Sequence, residues 1–151
     1  MRPLHLVLLT LTVLSPPTAT AQAPGDTLPE RVVERAYEAF NRHDAAAYMS
    51  FFAPRLALES VRPDSLCQSR RTSREAEEEV LSKEFAPGGV FSTTKAVARR
   101  RFVAGPFVVE EQAIAGKDGG VVHLHLFEVK HGYIIREIDF DAYGPPIPPR
   151  R

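Results

Sequence analysis

Hydrophobic residues follow two different periods along the chain. Up to Phe85 they recur mostly every three or four positions, and from Val90 onward they alternate with polar ones. Val32, Val33, Ala36, Tyr37 and Phe40 form one apolar stripe and predict a helix. Thr27-x-x-Glu30 fits a capping box, with Pro29 in the first turn, where a missing N–H costs nothing. The helix should end near residues 41–43. Asp44 is placed as the N-cap of a second short helix, Ala45 to about Phe52, with Pro54 as its stop. Leu56 to Val61 alternates as a strand, and residues 62–71 form a polar connection. A second capping box, Thr72-x-x-Glu75, opens a third helix to about Phe85, with Ala76, Val80, Leu81 and Phe85 as its stripe.

The alternating half predicts four strands, at about 92–103, 107–115, 120–130 and 133–141. Ala104-Gly105-Pro106, Gly116-Lys117-Asp118-Gly119 and His131-Gly132 separate them. Links this short imply antiparallel hairpins.

The flanks have a different character. Met1-Arg2 precedes an apolar run from Leu4 to Leu14, then Ser15-Pro16-Pro17 and Ala19-Thr20-Ala21. This is the layout of a signal peptide. Such a run spans about 16 Å as a helix, against about 30 Å of bilayer core. Cleavage is expected after Ala21, with a secreted or periplasmic location. It removes 21 of 151 residues and leaves 130. Residues 22–26 are then a polar leader, 27–143 a single domain and 144–151 a Pro-rich tail that cannot join a sheet through its prolines.

Composition narrows the function. Nineteen basic and nineteen acidic side chains give a formal charge of zero. Loss of Arg2 makes it −1. A nucleic-acid partner is therefore not expected. After cleavage no apolar run of membrane length remains, so no membrane partner is expected either. One Cys, Cys67, excludes an internal disulfide framework and a Cys-rich zinc site. Glu75 and Glu77 to Glu79 fit a solvated face complementing a helix N-terminus better than a metal cluster.

Three segments resemble a known family: VERAYEAFNRHDAAAYMSFF (33–52), RFVAGPFVVEE (101–111) and LFEVKHGYIIREIDFD (126–141). With the α-α-β-α-ββββ order, the chain resembles the nuclear-transport-factor-2-like (NTF2-like) superfamily, SnoaL-like branch, over residues 27–143. The resemblance implies an α+β fold, a cone-shaped curved antiparallel sheet wrapped around about three N-terminal helices (a cystatin-like α+β roll). It implies a ligand pocket on the concave face and an outer face that often mediates dimerisation. The superfamily includes isomerases, cyclases, dehydratases and non-catalytic members, so the fold alone names no activity. The catalytic positions of its ketosteroid isomerases fall at Ser60, at Ala36 and near His125. None carries the residue that chemistry requires.

Strand register nominates pocket residues. With His131-Gly132 as a two-residue turn, Lys130 faces Tyr133. Uninterrupted pairing then sets His123 against Phe140, His125 against Ile138 and Phe127 against Arg136. By analogy with the family hairpin, that face is assigned to the concave side. The expected pocket is Tyr37, Phe40, His123, His125, Phe127, Arg136 and Ile138. A one-residue slip would turn Glu137 and Asp139 inward instead. His123-x-His125 places two imidazoles on one face, with Cα atoms about 7 Å apart. A metal would need a third ligand, for which Glu110, Glu111 and His43 are candidates, so no metal and no cofactor is assigned. His125 is the candidate acid–base residue, and Arg136 the candidate anion clamp. The favoured function is an exported small-molecule-binding module without catalysis; the alternative is a lyase, isomerase or hydrolase using those two residues. An outer apolar patch of Val122, Leu124, Leu126 and Ile135 predicts a homodimer.

Overall fold

The computed structural model describes residues 27–61, 68–116 and 119–140. The expected signal peptide, the polar leader, Cys67 and the Pro-rich tail lie outside them. The elements are α1 (Pro29–Asn41), α2 (Ala45–Met49), β1 (Phe52–Val61), β2 (Gln68–Ser73), α3 (Arg74–Phe85), β3 (Lys95–Ala104), β4 (Phe107–Gly116), β5 (Gly119–Lys130) and β6 (Tyr133–Phe140).

The α1 stripe is buried as its spacing requires: Val32, Val33, Ala36, Tyr37 and Phe40, joined by Ala39. Its capping box does not form. Pro29 takes the first helical position, Leu28 is the N-cap and no side chain caps the helix, because Thr27 comes one residue too early. Asp44 does cap α2, accepting from the Ala47 N–H at 2.9 Å. At α3 the cap is Ser73, not Thr72, and it accepts from the Ala76 N–H. Leu81 and Phe85 of the expected stripe face inward, joined by Glu77, while Ala76 and Val80 are exposed.

The strands form one curved sheet in the order β2-β1-β6-β5-β4-β3. It is mixed, because β1 and β6 run parallel while every other neighbouring pair is antiparallel. The polar connection expected at 62–71 holds β2, an edge strand paired to β1. Pro54 lies inside β1 instead of ending α2. Its missing N–H is accommodated because the β1–β6 register breaks between Phe52 and Ala57 and pairing to β2 begins only at Arg55. Helix α1 packs across β3 to β6, α3 packs on β1 and β2, and α2 lies against both helices. Their apolar faces meet Phe51, Phe52, Leu56, Val108, Phe127, Val129 and Ile134 in one core.

The His131-Gly132 turn is present, with both residues at positive φ (52° and 77°) and Lys130 opposite Tyr133. Uninterrupted pairing beyond it is not. Val129 faces Ile134, but Glu128 faces Arg136, so Ile135 is an extra residue in β6. From there on His125 faces Asp139 and Phe127 faces Glu137. The two histidines stay on the inner face. Glu137 and Asp139 join them, and Arg136 and Ile138 turn to the outer face. That corrects the expected placement of Arg136 and Ile138.

Candidate functional site

Between the helices and the concave face lies a cavity of about 340 Å³, within the usual range for small-molecule sites. Tyr37, Phe40, Tyr48 and Met49 of the first two helices form one side. Leu56 and Leu58 of β1, with Ile114 of β4 and Val121 of β5, add apolar wall. At its rim, Arg70 of β2 holds Glu77 of α3 through two hydrogen bonds of 2.6 and 2.8 Å. The remaining wall is chemically distinct: His123 and His125 of β5 beside Glu137 and Asp139 of β6.

Strand periodicity orders that wall. Residues 123, 125 and 127 point the same way, and their rings stack in a row. Centroids are 5.7 Å apart at each step, with interplanar angles of 14° and 5°. Phe127 is fully buried at the core end and does not line the cavity. Tyr37 packs edge-on against both His125 and Phe127. His125 Nδ1 lies 3.2 Å from Glu137 Oε1. Its Nε2 is buried without a hydrogen-bond partner, 3.7 Å from Asp139 Oδ1. His123 Nδ1 lies 3.0 Å from the same Asp139 oxygen.

Burial alone would lower the His125 pKa. The hydrogen bond to Glu137 and the charges of Glu137, Asp139 and Glu110 together outweigh it and leave it raised. Burial pushes the Tyr37 and Tyr48 hydroxyls well above the usual tyrosine range, and the charge of Glu137 adds to both shifts. Both phenols therefore remain protonated donors.

Of the residues expected in the pocket, Tyr37, Phe40, His123 and His125 converge on the cavity. Phe127 supports it from beneath. Arg136 lies on the outer face, where its Nε and Nη2 donate to the two Glu59 carboxylate oxygens at 2.8 and 3.0 Å. Ile138 shares that face. Glu137 and Asp139 are the site residues that uninterrupted pairing leaves out. The only trace of the bulge in the sequence is the adjacent apolar pair Ile134-Ile135, which breaks the alternation.

The candidate third metal ligands are engaged by other groups, although Glu110 lies directly across from His125. Glu110 is bound by Arg101, Glu111 pairs with Arg99, and His43 bonds the Thr94 carbonyl against Phe85. Asp139 is the carboxylate that meets both imidazoles. Ligand atoms of His123, His125 and Asp139 all lie within 4.8 Å of one another, a set able to hold a metal ion. Ser60 and Ala36 supply no isomerase chemistry, and Glu59 is engaged outside the cavity.

No model of a known protein family matches the sequence, and no curated protein matches it. Solved structures do match. An NTF2-like protein of unknown function from Mesorhizobium loti superposes with a TM-score of 0.61 at 20% identity, covering 80% of this chain and 95% of that one. A cystatin-fold protein from Novosphingobium aromaticivorans gives 0.59 at 14% identity, over 74% and 96%. A protein with a ketosteroid isomerase-like fold from Catenulispora acidiphila, in complex with trimethylamine, gives 0.57 at 14%, over 74% and 85%.

Proposed function

From a chain with the NTF2-like fold, we propose a protein that binds a small, mainly apolar organic molecule carrying one polar end. The observation that carries this is the cavity's division into an aromatic and aliphatic side and a wall of imidazoles and carboxylates, with Arg70, Glu77 and Glu84 as further polar lining away from that wall. The apolar side supplies affinity through burial, and the polar wall orients the ligand. The trimethylamine complex of the Catenulispora acidiphila protein supports small-molecule binding on this fold. The apolar run and Ala19-Thr20-Ala21 support export. The exposed side chains of Val97, Phe102 and Phe107, which share the outer face, support a homodimer through that face. They add to the expected patch, of which Val122 is buried and Leu124, Leu126 and Ile135 are half-buried.

The test is a thermal-shift screen of small organic molecules against the whole chain in a chelating buffer. A cavity ligand should raise the melting temperature. Leu58→Trp, which fills the space, should abolish that rise, whereas Arg136→Ala should preserve it. A rise that survives Leu58→Trp would place the ligand elsewhere and end the proposal.

A catalytic reading draws on one feature, the hydrogen bond that orients His125 while its Nε2 remains unbonded. This is how a carboxylate positions an imidazole for proton transfer. Arg136 has no part in it. Full activity of His125→Ala on any substrate found would rule it out.

A further inference from the structure

We propose that His123, His125 and Asp139 form a mononuclear site for a divalent transition metal, with open coordination positions facing the cavity. The site lies in the cavity wall but does not depend on an organic molecule binding there.

Three independent features converge on it. The first is geometric. The His-x-His spacing on β5 projects two imidazoles from one face, and the extra residue in β6 brings Asp139 directly opposite His125. One ligand atom from each residue lies within 4.8 Å of the others. A tetrahedral zinc with bonds of about 2.0–2.2 Å separates its ligand atoms by roughly 3.4 Å. Closing the site therefore requires side-chain movements on the order of 1 Å.

The second feature is the unpartnered His125 Nε2. A buried polar nitrogen ordinarily has a partner. The His123–Asp139 bond accounts for those two side chains as an internal pair, but it leaves Nε2 of His125 without one. A metal shared with Asp139, whose nearer oxygen is 3.7 Å away, satisfies it.

The third is the outer carboxylate. Glu137 engages Nδ1 of His125, which fixes the ring and directs the Nε2 lone pair at the site. Metal-bound histidines characteristically have such a partner on their other nitrogen. Two nitrogens and one carboxylate oxygen suit zinc and its first-row neighbours better than calcium or magnesium. Three protein ligands beside a cavity match sites that bind a further molecule, whereas purely structural zinc sites are closed by four.

The experiment strips the whole chain with a chelator. Zinc is then titrated in by calorimetry and cobalt by visible absorption. The proposal expects one equivalent of each metal and ligand-field bands for cobalt. Asp139→Asn and His123→Ala should each weaken zinc binding at least about tenfold, and Glu137→Gln by about 10–100-fold. His131→Asn and His43→Gln should bind as the parent does. Circular dichroism establishes that each variant is folded, and Asp139→Asn preserves side-chain shape. The proposal is overturned if folded Asp139→Asn binds zinc like the parent, if His131→Asn loses it, or if the parent takes up no metal. None of these outcomes affects the ligand screen, which runs in chelator.

Discussion

At the scale of single residues, the cavity wall concentrates charge in a largely apolar interior. Glu110 is 1% exposed, and its charge is met by Arg101 Nε at 3.0 Å, with Gln112 as a second donor. Removing one partner of such a pair strands a buried charge, so Arg101→Ala should cost about 3 kcal/mol in urea unfolding. Arg101→Met combined with Glu110→Leu should recover most of it, because replacing both partners removes the stranded charge. His125 makes the metal-free protein sensitive to pH. Its folded pKa is raised above 6.5 by Glu137, Asp139 and Glu110 despite its burial. The protonated imidazole therefore contributes stability that is fully present below 6.5 and is lost as pH rises through the folded value. Melting temperatures in chelator should fall over that window in the parent. The fall should be much smaller in Glu137→Gln, which lacks the hydrogen bond and nearest charge that hold the proton. A parent curve as flat as the variant's would refute this assignment.

At the scale of elements, local chemistry sets most boundaries. Asp44→Ala removes the α2 cap and should cost about 1 kcal/mol. At the end of α3, a Cβ on Gly89 would sit 2.3 Å from the Glu84 carbonyl oxygen, while one on Gly88 would meet nothing within 4 Å. The same Glu84 oxygen accepts from the Phe91 N–H, and Phe91 packs on Phe40 and Phe85. Gly89→Ala should therefore cost roughly 2 kcal/mol or more by displacing that loop. Gly88→Ala should cost only about 1 kcal/mol for its positive φ. Thermal unfolding of the pair separates the two causes. The helical stripe of α1, the Asp44 cap and the late hairpins were legible because each depends on spacing within a few residues. Less legible were β2, whose exposed polar residues carry no alternation, and the inward Glu77, which is stable there only because Arg70 reaches it. The pocket was half legible. Tyr37, Phe40, His123 and His125 followed from helix and strand period, whereas Glu137 and Asp139 depend on an extra residue that periodicity assumes away.

At the scale of the whole molecule, a sheet closed on one side by helices has one outer face to manage. Phe102 on that face is 68% exposed. Sedimentation at micromolar concentration should show a dimer that Phe102→Asp converts to monomer; a monomeric parent would sink the proposed interface. Near-zero net charge, which argued against nucleic acid, leaves the few buried ionisable groups as the chain's distinctive chemistry. Their arrangement depends on Ile135, the extra residue of β6. Deleting Ile135 would leave Glu128 opposite Arg136 and so keep Glu137 and Asp139 in the cavity. Keeping Ile135 but pairing it without a bulge would instead turn Arg136 and Ile138 inward and Glu137 and Asp139 out. The choice between an acidic, metal-competent wall and a cationic one thus rests on how one strand is paired and not on which residues it contains.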